Sequence, residues 1–219
     1  MDANRTAWNQ RQKELRQLLE KEGDLEQGRE MFHTQHALLH VAAEDGAVSF
    51  AGEVWHDTPE AIIRRVPRNC EHSIAWCFWH MARIEDLAMS WLVAGEPQLV
   101  EQADWFERMK IDVRHTGNAM SIDEIRTLSD VIDLDALFDY RQAVGRQTHE
   151  IVQQLKPAQL RQSPDPARLQ QVLDQGWVIE RGIVDYWSKR TIAGLLLMPP
   201  TRHNFVHLNE AQRLKQRKA

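Results

Sequence analysis

Apolar positions recur every three or four residues from one end of this chain to the other, and no stretch shows the sustained period-two alternation, rich in valine, isoleucine and threonine, of a half-buried strand. The pattern predicts an all-α protein. In "TAWNQRQKELRQLLEKEG" Trp8, Leu15, Leu18 and Leu19 share one side and charge occupies the rest, so residues 1–23 read as an appended amphipathic helix that ends at Gly23. Residues 24–219 read as one further domain. Asp24 and Gln27 form a capping box for a first long helix, with Leu25, Gly28, Phe32, Gln35, Leu39 and Ala42 on one face until Asp45-Gly46 breaks the pattern.

A connection from Ala47 to Glu71, with short helices, leads to a second long helix from Ser73 to Ala94. Residues 95–134 mix short amphipathic pieces, "EQADWFERMK" and "SIDEIRTLSDVI", with a loop around "RHTGNAMS", and read as an excursion between long helices. Asp135 to Leu155 forms the third, and a fourth helical segment runs from Val178 to Leu197. Met198-Pro199-Pro200 must interrupt or kink it, because proline lacks the amide donor and clashes with the preceding turn. Thr201 is then placed to cap a closing helix from His203 to about Lys215. Four long helices with irregular connections predict a four-helix bundle, a fold whose cofactor sites lie between facing helices.

Candidate chemistry sits on the inward faces. At about 100° per residue, His203, His207, Glu210 and Leu214 fall within roughly 60° of one another on the closing helix. Two imidazoles at i and i+4 can bind one ion but need a third ligand; otherwise they are the polar edge of a packed helix. His80 lies within the apolar stripe of Cys77, Met81, Ile84, Leu87, Ala88 and Trp91 on the second helix, so it faces inward, as a hydrogen-bonded core histidine or as that third ligand. Trp79 points about 160° away from Cys77, so the second helix is covered on more than one side. On the first helix His36 lies about 40° from the core direction of Phe32 and reads as a cofactor-pocket residue behind the ligands; His33 and His40, at about 80° to 100°, read as boundary residues. His56, His72, His115 and His149 fall in connections or among polar residues. Arg83 and Asp86 fall on the outer face of the second helix, where solvated ion pairing is their expected use.

Other chemistries lack their residues. Asn204 stands where the zinc-protease pattern HExxH puts its general base, no GxSxG or Gly-rich phosphate loop occurs, and Cys70 and Cys77 lack CxxC spacing. Those cysteines are seven apart, about two helical turns, too far to bridge to each other, which favours a reducing compartment. With 219 residues and a net charge of -5, scattered cations give no phosphate-tracking stripe, and only "RLKQRK" is basic. No signal-peptide pattern and no run of about 18 apolar residues occurs, so a cytoplasmic protein that engages neither nucleic acid nor membrane is expected.

These residues resemble the DinB-like (damage-inducible) metal-binding four-helix proteins. "HSIAWCFWHMARIEDL" is similar to that family's second-helix signature, and "HNFVHLNE" matches its closing signature, HxxxH followed three residues later by glutamine or glutamate. "AVGRQTHEIVQQLKP" and "VDYWSKRTIAG" also resemble one branch, so the likeness covers about residues 25 to 215. It implies an up-down-down-up bundle, commonly a bacterial homodimer, with His80, His203 and His207 holding a divalent metal, zinc or nickel. Glu210 takes the place where relatives often carry glutamine, and is read as a catalytic proton acceptor or as the group that fixes an imidazole tautomer. The resemblance implies a metal-dependent enzyme acting on a small-molecule substrate, a transferase or hydrolase with a low-molecular-weight thiol as co-substrate. The alternative is a non-catalytic, stress-associated binding or scaffold protein with a structural metal. DNA binding, suggested by the family's name, finds no basic face.

Overall fold

The computed structural model describes residues 2–22, 24–40 and 49–217, and these are helical with irregular connections and no strand. The chain begins as an α-helix, Asp2–Arg16, that widens into a π-helical turn, Gln17–Glu22. Trp8, Leu15 and Leu19 are buried on the predicted face. Gln12, also buried, stitches this helix to the chain's far end, donating to the carbonyl of Leu197 at 2.8 Å and receiving the amide of Gln35 at 2.5 Å.

The first bundle helix is Leu25–Ala37, capped where predicted: the Asp24 carboxylate accepts from the amide of Gln27 at 3.1 Å. It is shorter than its periodicity suggests, because the chain turns at Leu38 and the amides of Leu39 and His40 both close on the carbonyl of His36. The expected Ala42 position and the Asp45-Gly46 break lie outside the described residues.

The second helix, Ile74–Asp86, continues as a π-helical stretch, Leu87–Ala94, and every residue from Ile74 to Asp86 is buried. Ser73 caps it, its hydroxyl accepting from the Trp76 amide at 2.9 Å. Its most extensive partners are the third helix, Leu134–Gln154, and the closing helix, Asn204–Gln216. The covering expected from Trp79 is therefore present on all sides.

That covering corrects the reading of Arg83 and Asp86. Neither side chain is exposed, because the excursion of residues 95–134 folds over the face that the helical wheel assigns to solvent. The Asp86 carboxylate accepts from the amides of Leu99 and Val100 at 2.8 and 2.9 Å, from Ser90 and from the Tyr140 hydroxyl at 2.7 Å. Arg83 donates to Gln98, Tyr140 and the carbonyl of Arg114. These two residues pin the excursion to the helix, which places its loop near His80.

The predicted continuous fourth helix is divided. It consists of Arg181–Ser188 and Ile192–Leu196, and Thr191 caps the second piece by accepting from the Gly194 amide at 3.2 Å. Instead of a break at Pro199-Pro200, the chain stays helical through a π-helical turn, Met198–His203. Pro200 has no amide to give the carbonyl of Leu196, and the Thr201 hydroxyl donates to that carbonyl instead, at 3.1 Å. Thr201 thus repairs the proline turn and does not cap the closing helix. His203 leaves the turn with helical dihedrals, φ -62° and ψ -48°, so the stripe of His203, His207 and Glu210 is carried without a break.

Candidate metal centre

Three imidazoles converge between the second and closing helices. His80, His203 and His207 each present a ring nitrogen within 4.8 Å of the others'. His80 comes from the middle of the second helix and is 2% exposed. Its Nδ1 lies 2.6 Å from the carbonyl of Thr116 in the excursion loop. A carbonyl only accepts, so the proton sits on Nδ1 and Nε2 carries the lone pair. Gly117 makes this approach possible: its φ is +88°, and a Cβ there would stand 2.5 Å from the Trp79 ring.

His207 is oriented the same way by a different group. Its Nδ1 lies 2.9 Å from Oε2 of Glu210, one helical turn on, so the carboxylate takes the Nδ1 proton's hydrogen bond and Nε2 is left as the ligand atom. The Nε2 atoms of His203 and His80 are 3.1 Å apart. Two nitrogens bound to one tetrahedral ion at ~2.0–2.1 Å stand about 3.3 Å apart, so the pair is already near the spacing of shared ligands. His203 alone has a buried Nδ1 with no partner; its place is set by the π-helical turn behind it.

Electrostatics hold His80 and His203 in the neutral form. Burial, with His207 close by, lowers the pKa of His80 to about 3 despite the Thr116 carbonyl. Burial and the neighbouring imidazoles of His80 and His207 push His203 well below the ordinary histidine value. A neutral imidazole with a free lone pair is what a divalent metal needs.

Glu210 is the shared acceptor of two histidines. Oε1 accepts from Nδ1 of His72 at 2.7 Å while Oε2 accepts from His207. Burial alone would raise this carboxyl, but the two imidazole hydrogen bonds hold it below the usual carboxylate range. His72, placed by the sequence in a featureless connection, therefore belongs to the site. Its ring stacks on Trp76 at 3.8 Å, and Trp76 stacks on His80 at 4.5 Å. The signal was available as a spacing of four: His72, Trp76 and His80 form one line along the helix that Ser73 begins.

Two other groups among the described residues could hold an ion by proximity, Cys77 with His207 and Glu210, and His36 with His40 and Glu85. In the first, burial and the charge of Glu210 raise the Cys77 thiol well above its ordinary value, so it stays protonated and is a poor ligand. The second is a closed hydrogen-bonded hub. Oε1 of Glu85 accepts from Nε2 of His36 at 2.7 Å and the Thr148 hydroxyl at 2.8 Å; Oε2 accepts from Nε2 of His40 at 3.0 Å and the Asn204 amide at 2.5 Å. Burial penalises this carboxylate, yet His40 and His36 hold its pKa well below the ordinary range. The imidazole N–H groups are spent on the carboxylate, which leaves no converging lone pairs there. His36 thus sits on Glu85 and not among the three convergent imidazoles.

His40 is buried at 6% exposure and is not the boundary residue expected from the wheel. Extrapolating 100° steps fails once the helix ends at Ala37, and the turn carries the ring back over Glu85. Gly145 on the third helix makes room, since a Cβ there would stand 2.7 Å from His40. Asn204, beside His203, binds Glu85 and the Pro200 carbonyl, so the hub is joined to the start of the closing helix.

The metal-free protein is expected to lose stability in acid. Burial lowers His40 from 6.5 to about 4, so the unfolded chain takes up that proton first and stability falls as pH drops from about 6.5 to about 4. Glu85, with a lowered pKa, contributes stability above 4.5 that is lost below it, in the same direction. Urea midpoints measured at pH 7 and pH 4.5 on chelator-treated protein should differ, with the lower midpoint in acid; equal midpoints would contradict a buried neutral His40.

The family model of the DinB superfamily matches residues 51–210, a span that includes all three histidines of the site and Glu210. No curated protein matches the chain.

Proposed function

Since the chain belongs to the DinB superfamily, we propose that it is a metal-dependent enzyme in which His80, His203 and His207 hold one divalent ion, zinc or nickel, and leave at least one coordination position for a small-molecule substrate. The observation that carries this reading is the convergence of three imidazoles, two of them held with the proton on Nδ1 by Thr116 and Glu210. When bound, such an ion supplies Lewis acidity and a coordination position open to substrate.

The chain's own residues do the remaining work. Thr116 and Glu210 keep the protons of His80 and His207 on Nδ1, which aims both Nε2 atoms at one point. Glu210 stays ionised and a quarter exposed, with His72 as a second donor; with both oxygens engaged and its pKa lowered, its role is to fix the imidazole tautomer more than to take up a proton. A transferase or hydrolase reaction with a low-molecular-weight thiol as co-substrate is part of the same proposal, as is a homodimeric assembly.

The test is metal removal. A ligand present at about 100 times its dissociation constant adds roughly 2.7 kcal/mol to stability. For a protein of this size each kcal/mol moves the melting temperature by about 2–4 °C, so EDTA dialysis should lower it by roughly 5–10 °C and zinc or nickel should restore it. Turnover of thiol-dependent transfer substrates that returns with the metal supports an enzyme. Metal-dependent stability without any turnover would favour a structural ion in a scaffold, and stability indifferent to chelator and metal would end the proposal.

A further inference from the structure

Beside the three histidines, a cavity of about 250 Å³ opens between the second helix, the Arg181–Ser188 helix and the π-helical turn. His203 forms one wall, so the cavity and the proposed metal centre share a residue. Ile84 and Trp187, 4% and 3% exposed, form the apolar floor, and Ile183, Met198 and Pro199 complete the apolar lining. No carboxylate, lysine or arginine lines it. Tyr186 and Asn118 bring polar groups to the lining; the Asn118 side-chain oxygen accepts from the Thr116 hydroxyl at 2.7 Å, leaving its amide nitrogen as a donor in the loop that holds His80.

We infer that this cavity binds the apolar body of the substrate, and that the substrate is a small molecule with a compact aromatic or branched aliphatic group attached to a single metal-binding head. The inference rests on the metal-dependent reading above and adds the substrate's chemical class. Size sets the upper limit, since the cavity falls just below the ~300 Å³ at which pockets for drug-sized ligands begin. A ring with a few further atoms fits; a nucleoside or a long acyl chain does not. Charge sets the second limit, because a phosphorylated body would find no cationic side chain in this lining and would lose its hydration without a charged partner. An apolar body gains about fourfold in affinity for each methylene it buries.

The test uses two probes with the same head, acetohydroxamate and benzohydroxamate, titrated by calorimetry into the zinc-loaded full chain. Benzohydroxamate should bind at least tenfold more tightly. Two variants then assign that advantage to the cavity. Gly182 lines it, and a Cβ added there meets nothing within 4 Å, so Gly182→Leu fills space without straining the helix. Ile183→Asp puts a carboxylate into the half-buried wall. Both variants should keep zinc stoichiometry and acetohydroxamate binding while the tenfold preference shrinks to about threefold or less. If wild type binds the two hydroxamates equally, or if both variants keep the full preference, the cavity is not the substrate's seat although the metal centre stands. If wild type binds neither zinc nor nickel, the functional reading itself fails and this inference with it.

Discussion

Alanine in place of His80 is expected to abolish stoichiometric metal binding while leaving a folded protein. The substitution removes the one ligand contributed by the second helix, and the two that remain, His203 and His207, are a pair on a single helix. Two imidazoles one turn apart hold a zinc ion weakly, because a structural or catalytic site needs at least three protein ligands. His207→Ala should behave alike. Glu210→Ala should behave differently: it leaves all three ligands but frees the Nδ1 proton of His207 from its acceptor, and loss of such an outer partner costs about 10–100-fold in metal affinity. The expected order by competition against a chromophoric chelator is therefore wild type, then Glu210→Ala weaker by about 10–100-fold, then both histidine variants weaker by more than 100-fold. Circular dichroism on the same samples separates ligand loss from unfolding. Undiminished one-to-one binding in both histidine variants would exclude this centre and redirect attention to Glu85 and its histidines.

Much of this centre could be read before folding. A spacing of four on the closing helix and an inward histidine on the second made His80, His203 and His207 candidates, and the structure brings them together. The helix starts at Asp24 and Ser73 were legible for a local reason: a side-chain oxygen captures an amide three residues on, and that needs no tertiary information. The failures have one physical cause. Periodicity shows which face of a helix is apolar but not what else the chain lays upon its polar face. Arg83 and Asp86 look solvated until the excursion covers them, and His40 looks peripheral until the helix ends three residues before it. The Thr116 carbonyl that fixes His80 is a backbone atom in a loop, with no side-chain signature to find. The double proline misleads in the opposite sense, since the repair by Thr201 keeps the closing helix continuous with its turn.

Glu85 is the position where a single substitution should cost the most stability. Its carboxylate, fully buried, accepts four hydrogen bonds, one each from His36, His40, Thr148 and Asn204, which tie together the first, second, third and closing helices. Arg141, also buried, is a cation whose protonated form Glu85 favours, although burial lowers its pKa to about 10. Glu85→Leu strips these groups of their acceptor and leaves the cation uncompensated. Stranding buried donors costs about 1–3 kcal/mol each, so a loss of about 3–5 kcal/mol or more is expected, against a total stability of roughly 5–15 kcal/mol for a typical domain. At about 2–4 °C per kcal/mol the melting temperature should fall by roughly 6–20 °C. Glu85→Gln should fall less, because its carbonyl serves two donors while its amide group faces the other two, and the imidazole among them can present its lone pair after a tautomer change. The contrast is the diagnostic part. A merely space-filling role predicts that leucine and glutamine are tolerated about equally, whereas the hub predicts leucine to be the worse by at least 1–2 kcal/mol in urea unfolding of the metal-free protein. Because Asn204 is adjacent to His203, Glu85→Gln should also weaken metal binding without removing a ligand. Leucine and glutamine variants that both keep near wild-type stability, with unchanged metal affinity, would show that the four donors do not depend on this carboxylate.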